Sequence, residues 1–121
     1  MITESKISKI EPDITLVEIG GRLALGNVLV SLEYSIRRLI EEGARKVIID
    51  LGALDNIDSA GIGVLVGCNG LMDQNGGKLR VAGAKGSVAK AFEIVHMDRI
   101  AALDPDRETA IGHFSTTGAA G

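Results

Sequence analysis

Cysteine is nearly absent: Cys68 is the only one in 121 residues. No internal disulfide can form, and a reducing compartment is expected. Tryptophan is missing, and the aromatics are limited to Tyr34, Phe92 and Phe114, too few to stack unpaired bases. Positive charge has no excess either: 13 Lys and Arg face 16 Asp and Glu, for a net charge of −3. That balance leaves no footprint for a phosphate backbone, so no nucleic-acid partner is expected. No stretch approaches the ~20 consecutive apolar residues of a membrane span, and no membrane insertion is expected. The opening Met-Ile-Thr-Glu-Ser-Lys lacks the apolar core of a secretory leader, which again points to the cytoplasm.

What is present suits one globular domain. Apolar residues make up 45% of the chain and its mean hydropathy is +0.24, enough to build a core without a metal or a staple. The segment near Ile7–Ile10 reads as an edge strand. Ile14–Ile19 is a stronger strand, ended by Gly20-Gly21, although its alternation slips at Val17. From Asn27 to Glu42, Leu29, Leu32, Ile36, Leu39 and Ile40 recur at the helical period, with Gly43 as a stop. Lys46–Leu51 is apolar on both faces, as in a strand covered from both sides. Gly52–Asp58 reads as a loop leading into a helix from Ser59 to about Asn75. In that helix Ile62, Leu65, Val66 and Met72 share a face, and the glycines at 61, 63, 67 and 70 suggest close packing. Lys78–Ala82 is a strand. A short helix from Ser87 turns Val88, Ala91, Phe92 and Val95 inward, and Ile100–Leu103 is a last edge strand. Asp104 as N-cap and Pro105 at the first helical position open a final helix carrying Ala110, Ile111 and Phe114. Residues 1–114 are thus expected to form the domain, and 115–121 a flexible tail.

Alternating strands and helices imply right-handed crossovers and a mostly parallel sheet. Function then gathers at the carboxyl ends of the strands, on Gly20–Asn27, Gly52–Ser59 and Gly83–Ser87. No metal is expected, because His96, His113 and Cys68 have no ligand spacing. A nucleophile elbow at Ser59 fails, since Ile57 stands where Gly is required and no base is evident. The Gly61-Ile62-Gly63 run followed by Gly67 is out of register for a dinucleotide loop, and no acid ends the next strand, so no cofactor is expected. Asp50 sits where a phosphoaspartate would, but Ile19–Arg22 supplies no acidic pair for Mg²⁺. Asp58-Ser59 remains. It is a good helix cap, and an exposed hydroxyl at a helix start is also a good place for a phosphate.

The run Asn56-Ile57-Asp58-Ser59-Ala60-Gly61-Ile62-Gly63-Val64-Leu65 resembles the signature of STAS domains, particularly the bacterial anti-sigma factor antagonists. The strand Val47–Leu51, the Gly21-Arg22-Leu23 turn, the Gly76-Gly77-Lys78 turn and the helix through Phe92 fit the same pattern, from about Ile7 to Ile111. The resemblance implies an α/β fold: a single STAS-like domain with a mostly parallel sheet of four to five strands and helices packed against it. It implies a binding protein rather than an enzyme. Ser59 matches the serine phosphorylated by an anti-sigma factor that is itself a Ser/Thr kinase. Phosphorylation would switch off binding to that kinase, and a phosphatase would reset it. The partner is expected over Gly21, Arg22, Ala24, Asp58, Ser59, Ala60, Ile62, Lys85 and Ser87. Ala24 stands where these antagonists usually carry Asp, and Ala60 where a second Ser or Thr is common. The same domain type also implies two alternatives, a scaffold of a signalling complex and a cytoplasmic subunit of a lipid transporter.

Overall fold

The computed structural model describes residues 4–10, 12–24 and 26–120. The chain order is β1 (Glu4–Ile10), β2 (Ile14–Leu23), α1 (Asn27–Glu41), β3 (Lys46–Asp50), β4 (Leu54–Ile57), α2 (Ser59–Gln74), β5 (Lys78–Ala82), α3 (Gly86–Ile94), a 3-10 turn (Met97–Arg99), β6 (Ala102–Asp104) and α4 (Arg107–Ala120). The sheet runs β1-β2-β3-β5-β6, with β4 paired to β2 off this path. Among the described residues the β1–β2 pairing is antiparallel and the other four pairings are parallel. Six strands stand where four or five were expected.

The slip in β2 has a physical reason. Val17 and Ile19 enter the core under α1, α2 and α3, while Ile14 and Leu16 enter a second core under α4. A strand buried on both faces has no reason to alternate. In β3, Val47 and Ile49 belong to the first core and Ile48 to the second. On α1, Leu29, Leu32, Ile36 and Leu39 are buried as the periodicity requires, and Glu33 and Arg37 pair at 3.8 Å across its exposed side.

Several expectations need correction. Gly20-Gly21 does not end β2, which continues to Leu23 through an irregularity between Gly21 and Arg22. Gly21 takes φ 83° there, a conformation that glycine adopts without a Cβ clash. The loop expected over Gly52–Asp58 contains β4, which pairs with this tail of β2. Leu-Asp-Asn-Ile has poor strand propensity, so tertiary pairing forms β4. Val95 is exposed past the end of α3, and Ala91 is only half-buried. Asp104 does not cap α4. It ends β6 with its carboxylate buried, and Asp106 caps instead, accepting from Thr109 N at 2.8 Å and Thr109 Oγ1 at 2.7 Å. The Thr109 hydroxyl holds the Asp106 carboxyl below its ordinary pKa. Helix α4 continues to Ala120; Gly121 lies outside the described residues.

Candidate functional site

The site starts from the tail of β2. Beyond the irregularity, Arg22 pairs in register with Asn56 and Leu23 with Ile57. Asp58 N then donates to Leu23 O at 3.2 Å, which brings the start of α2 against the end of β2. Asp58 is the N-cap, with Oδ1 accepting from Gly61 N at 2.8 Å. That bond satisfies one of the orphan donors of the first turn. Ser59 is the first residue of α2 and is exposed. Its hydroxyl stands where the remaining orphan N–H groups and the positive end of the helix favour an anion.

Gly61 makes this approach possible. A Cβ at Gly61 would lie 2.5 Å from Leu23 O and 2.8 Å from Ile57 Cγ1, whereas at Gly63, Gly67 and Gly70 it would meet nothing within 4 Å. The expectation that all four glycines serve close packing therefore holds for Gly61 alone. On the far side of β4, Ser87 Oγ donates to Asp55 O at 3.1 Å and ties the start of α3 to the same edge. Lys85 is the N-cap of α3, its carbonyl accepting from Val88 N and Ala89 N.

The structure thus gathers the β2 tail, the β4–α2 junction and the start of α3 at one edge. Arg22, Ser59, Lys85 and Ser87 are exposed there; Ala24 and Asp58 are half-buried. Ala24 directly follows Leu23, at the level of the α2 start. Ala60 and Ile62 are half-buried and pack partly against the first core, and Gly21 N is committed to Ala53 O at 3.1 Å. These three residues shape the edge more than they present side chains to a partner. Leu25, within the expected Gly20–Asn27 segment, lies outside the described residues.

The rival chemistries fare less well. Cys68 is buried in the first core, and burial pushes its thiol up to about 12, which disfavours the thiolate at neutral pH. No group of three metal-ligating side chains exists among the described residues. Asp50 is occupied, its Oδ1 accepting from Gly52 N and its Oδ2 from Arg107 Nε, both at 2.8 Å. Glu18, beside Asp50 in the β2–β3 register, accepts from Arg107 Nη2 at 2.6 Å. Glu18, one residue before Ile19–Arg22, thus forms an acid pair with Asp50, but Arg107 neutralises it. Arg107 lies 89 residues from Glu18 and 57 from Asp50, and no local pattern signals that meeting. These residues line an open pocket of about 730 Å³ at the strand ends.

The sequence pattern of the STAS domain matches residues 5–110. The chain belongs to the STAS domain family, among the anti-sigma factor antagonists. BtrV of Bordetella bronchiseptica, named as a candidate antagonist of this kind, is 34% identical over 85 residues, covering 70% of this chain and 73% of BtrV. The anti-sigma-B factor antagonist of Staphylococcus aureus is 30% identical over 78 residues, covering 64% of this chain and 71% of that protein. Among solved structures, phosphorylated SpoIIAA of Bacillus superposes with a TM-score of 0.72 at 18% identity, over 92% of this chain and 99% of that one. At that identity the superposition speaks for the fold. Among the described residues no helix is long and apolar enough to cross a membrane.

Proposed function

We propose that this STAS domain is an anti-sigma factor antagonist that binds an anti-sigma factor kinase and is switched off by phosphorylation of Ser59. It acts by binding, without catalysis of its own, and a phosphatase returns it to the binding state. The observation that carries the reading is the exposed Ser59 hydroxyl on the first turn of α2, capped by Asp58 at an edge shared with β2, β4 and α3. The names of its relatives support it, as does a fold neighbour solved in both unphosphorylated and phosphorylated forms.

The physics of the switch follows from that position. The helix start tolerates a phosphate in the free protein. Against a packed partner, an added charge of about −1.5 to −2 must be desolvated, and it meets the Asp58 carboxylate nearby. Free and bound states therefore respond oppositely to the same modification.

Mass spectrometry after incubation with the cognate kinase and ATP should place the phosphate on Ser59. Ser59→Ala should bind the kinase as the wild type does and resist switching. Ser59→Asp should bind more weakly by about tenfold, the equivalent of about 1.4 kcal/mol. Phosphate elsewhere with Ser59 untouched, or equal affinity of the two variants, overturns the reading. Recovery of transporter subunits or of a scaffold complex, with no kinase, would favour the alternative roles.

Ala24 adds a second expectation. A carboxylate following Leu23 can orient the Ser59 hydroxyl or bond the kinase; a methyl can do neither. Ala24→Asp should accelerate phosphorylation of Ser59 on the order of tenfold, as one charge-assisted hydrogen bond in the transition state allows. Parallel rate measurements decide it, and an unchanged or slower variant shows that Arg22 or the partner already fills that role.

A further inference from the structure

A second surface lies where α3, the 3-10 turn and β6 meet, its lining beginning at Ala84 beside Lys85. It is a cavity of about 500 Å³ whose floor is apolar, formed by Ala84, Ala89, Phe92 and Leu103. Its rim carries His96 together with Glu93 and Asp98, all exposed, and neither carboxylate has an ion-pair partner among the described residues. No Lys or Arg lines it; Lys90 and Arg99 sit on the same segments but outside the lining. Asp104 at its base is already held by Arg80.

The surroundings are apolar as well. Ile94, Val95 and Ile100 are 73%, 39% and 43% exposed, three of the six large exposed hydrophobics among the described residues. His96, with φ 54°, follows α3 in the left-handed conformation, turns the chain sharply and itself lines the cavity. Single exposed apolar residues need no explanation, so the apolar floor of the cavity itself carries the reading as a contact surface.

We propose that this cavity docks a peptide segment of a partner protein that inserts an apolar side chain and carries Arg or Lys beside it. The apolar floor sets the anchor. The two unpaired carboxylates set the sign of its neighbours, because an acidic segment would be repelled and a neutral one would leave them without partners. Arg serves best, since its stem can pack on the apolar floor while its head reaches the rim carboxylates.

A random peptide library displayed on phage and selected on the full chain tests the chemistry directly. Enriched sequences should combine Leu, Ile, Phe or Met with Arg or Lys. A synthetic peptide of the enriched sequence should bind Glu93→Lys/Asp98→Lys at least about tenfold more weakly than wild type. The control Glu41→Lys/Asp73→Lys, which makes the same charge change elsewhere, should bind as wild type does. Circular dichroism of both variants should report the wild-type fold, as expected for exposed positions. Amide shifts on titration should centre on Phe92 and Leu103. No enrichment, enrichment of acidic or purely apolar sequences, equal loss in both variants, or shifts centred on Ser59 would each overturn the proposal.

Discussion

Replacing Gly61 with Ala is expected to destabilise the protein by about 3 kcal/mol, at the upper end of ordinary overpacking. Gly67→Ala, in the same helix, should instead stabilise it by up to about 1 kcal/mol, the helix-propensity gain of Ala over Gly. The difference lies in what the new methyl meets. At Gly61 it falls 2.5 Å from Leu23 O and 2.8 Å from Ile57 Cγ1; at Gly67 it meets nothing within 4 Å. Ile57 can rotate away, but Leu23 O is backbone and also accepts from Asp58 N. Relief must come from moving the first turn of α2 off β2, which breaks that bond and displaces Ser59. Urea unfolding with an unchanged slope should show the two midpoints moving in opposite directions. Phosphorylation of Ser59 in Gly61→Ala should also fall, even at temperatures where the variant is folded. A Gly61→Ala midpoint at or above that of wild type would mean that the helix start is not pinned as described.

The parts legible from sequence are those where a local pattern and the tertiary demand agree. Helix α1 was readable because Leu29, Leu32, Ile36 and Leu39 are both periodic and buried. The doubly apolar run in β3 was readable because its place between two helix layers permits no other pattern. Asp58 was readable as a cap because its bond closes within three residues. Legibility failed where the decisive partner was remote. Strand β4 has no propensity of its own and is made by the β2 tail. Arg107 joins Glu18 to Asp50 across most of the chain. Asp104-Pro105-Asp106 offers two caps, and the choice between them belongs to Arg80, 24 residues before Asp104. The Ser59 edge lies between these cases. Its serine and cap are local, whereas its partners from β2 and α3 are supplied by topology.

Asp104→Ala should cost about 3–5 kcal/mol, because it strips a largely buried cation of its counter-ion. The Asp104 side chain is fully buried, and that of Arg80 is 17% exposed. Arg80 Nε donates to Oδ2 at 2.7 Å and Nη2 to Oδ1 at 3.2 Å, a two-point grip that fixes both groups. His113 Nδ1 lies 2.6 Å from Oδ1. The same Nδ1 lies 3.1 Å from Arg80 Nη2, so the ring sits against both members of the pair. Through this contact β6 also holds α4, whose Ala110 and Phe114 close the second core. Removing the carboxylate therefore loosens β5, β6 and α4 together, and the apparent Tm should drop by roughly 10–20 °C. Replacing both partners with apolar residues, as Arg80→Met/Asp104→Leu, should recover most of the loss, because no charge is then left buried alone. That recovery separates an uncompensated arginine from mere loss of packing. A single variant losing less than about 1 kcal/mol would place the grip among weak surface pairs. A double variant as unstable as the single one would show that the grip specifies the position of β6. The cavity beside Asp104 would then depend on that ion pair for its shape.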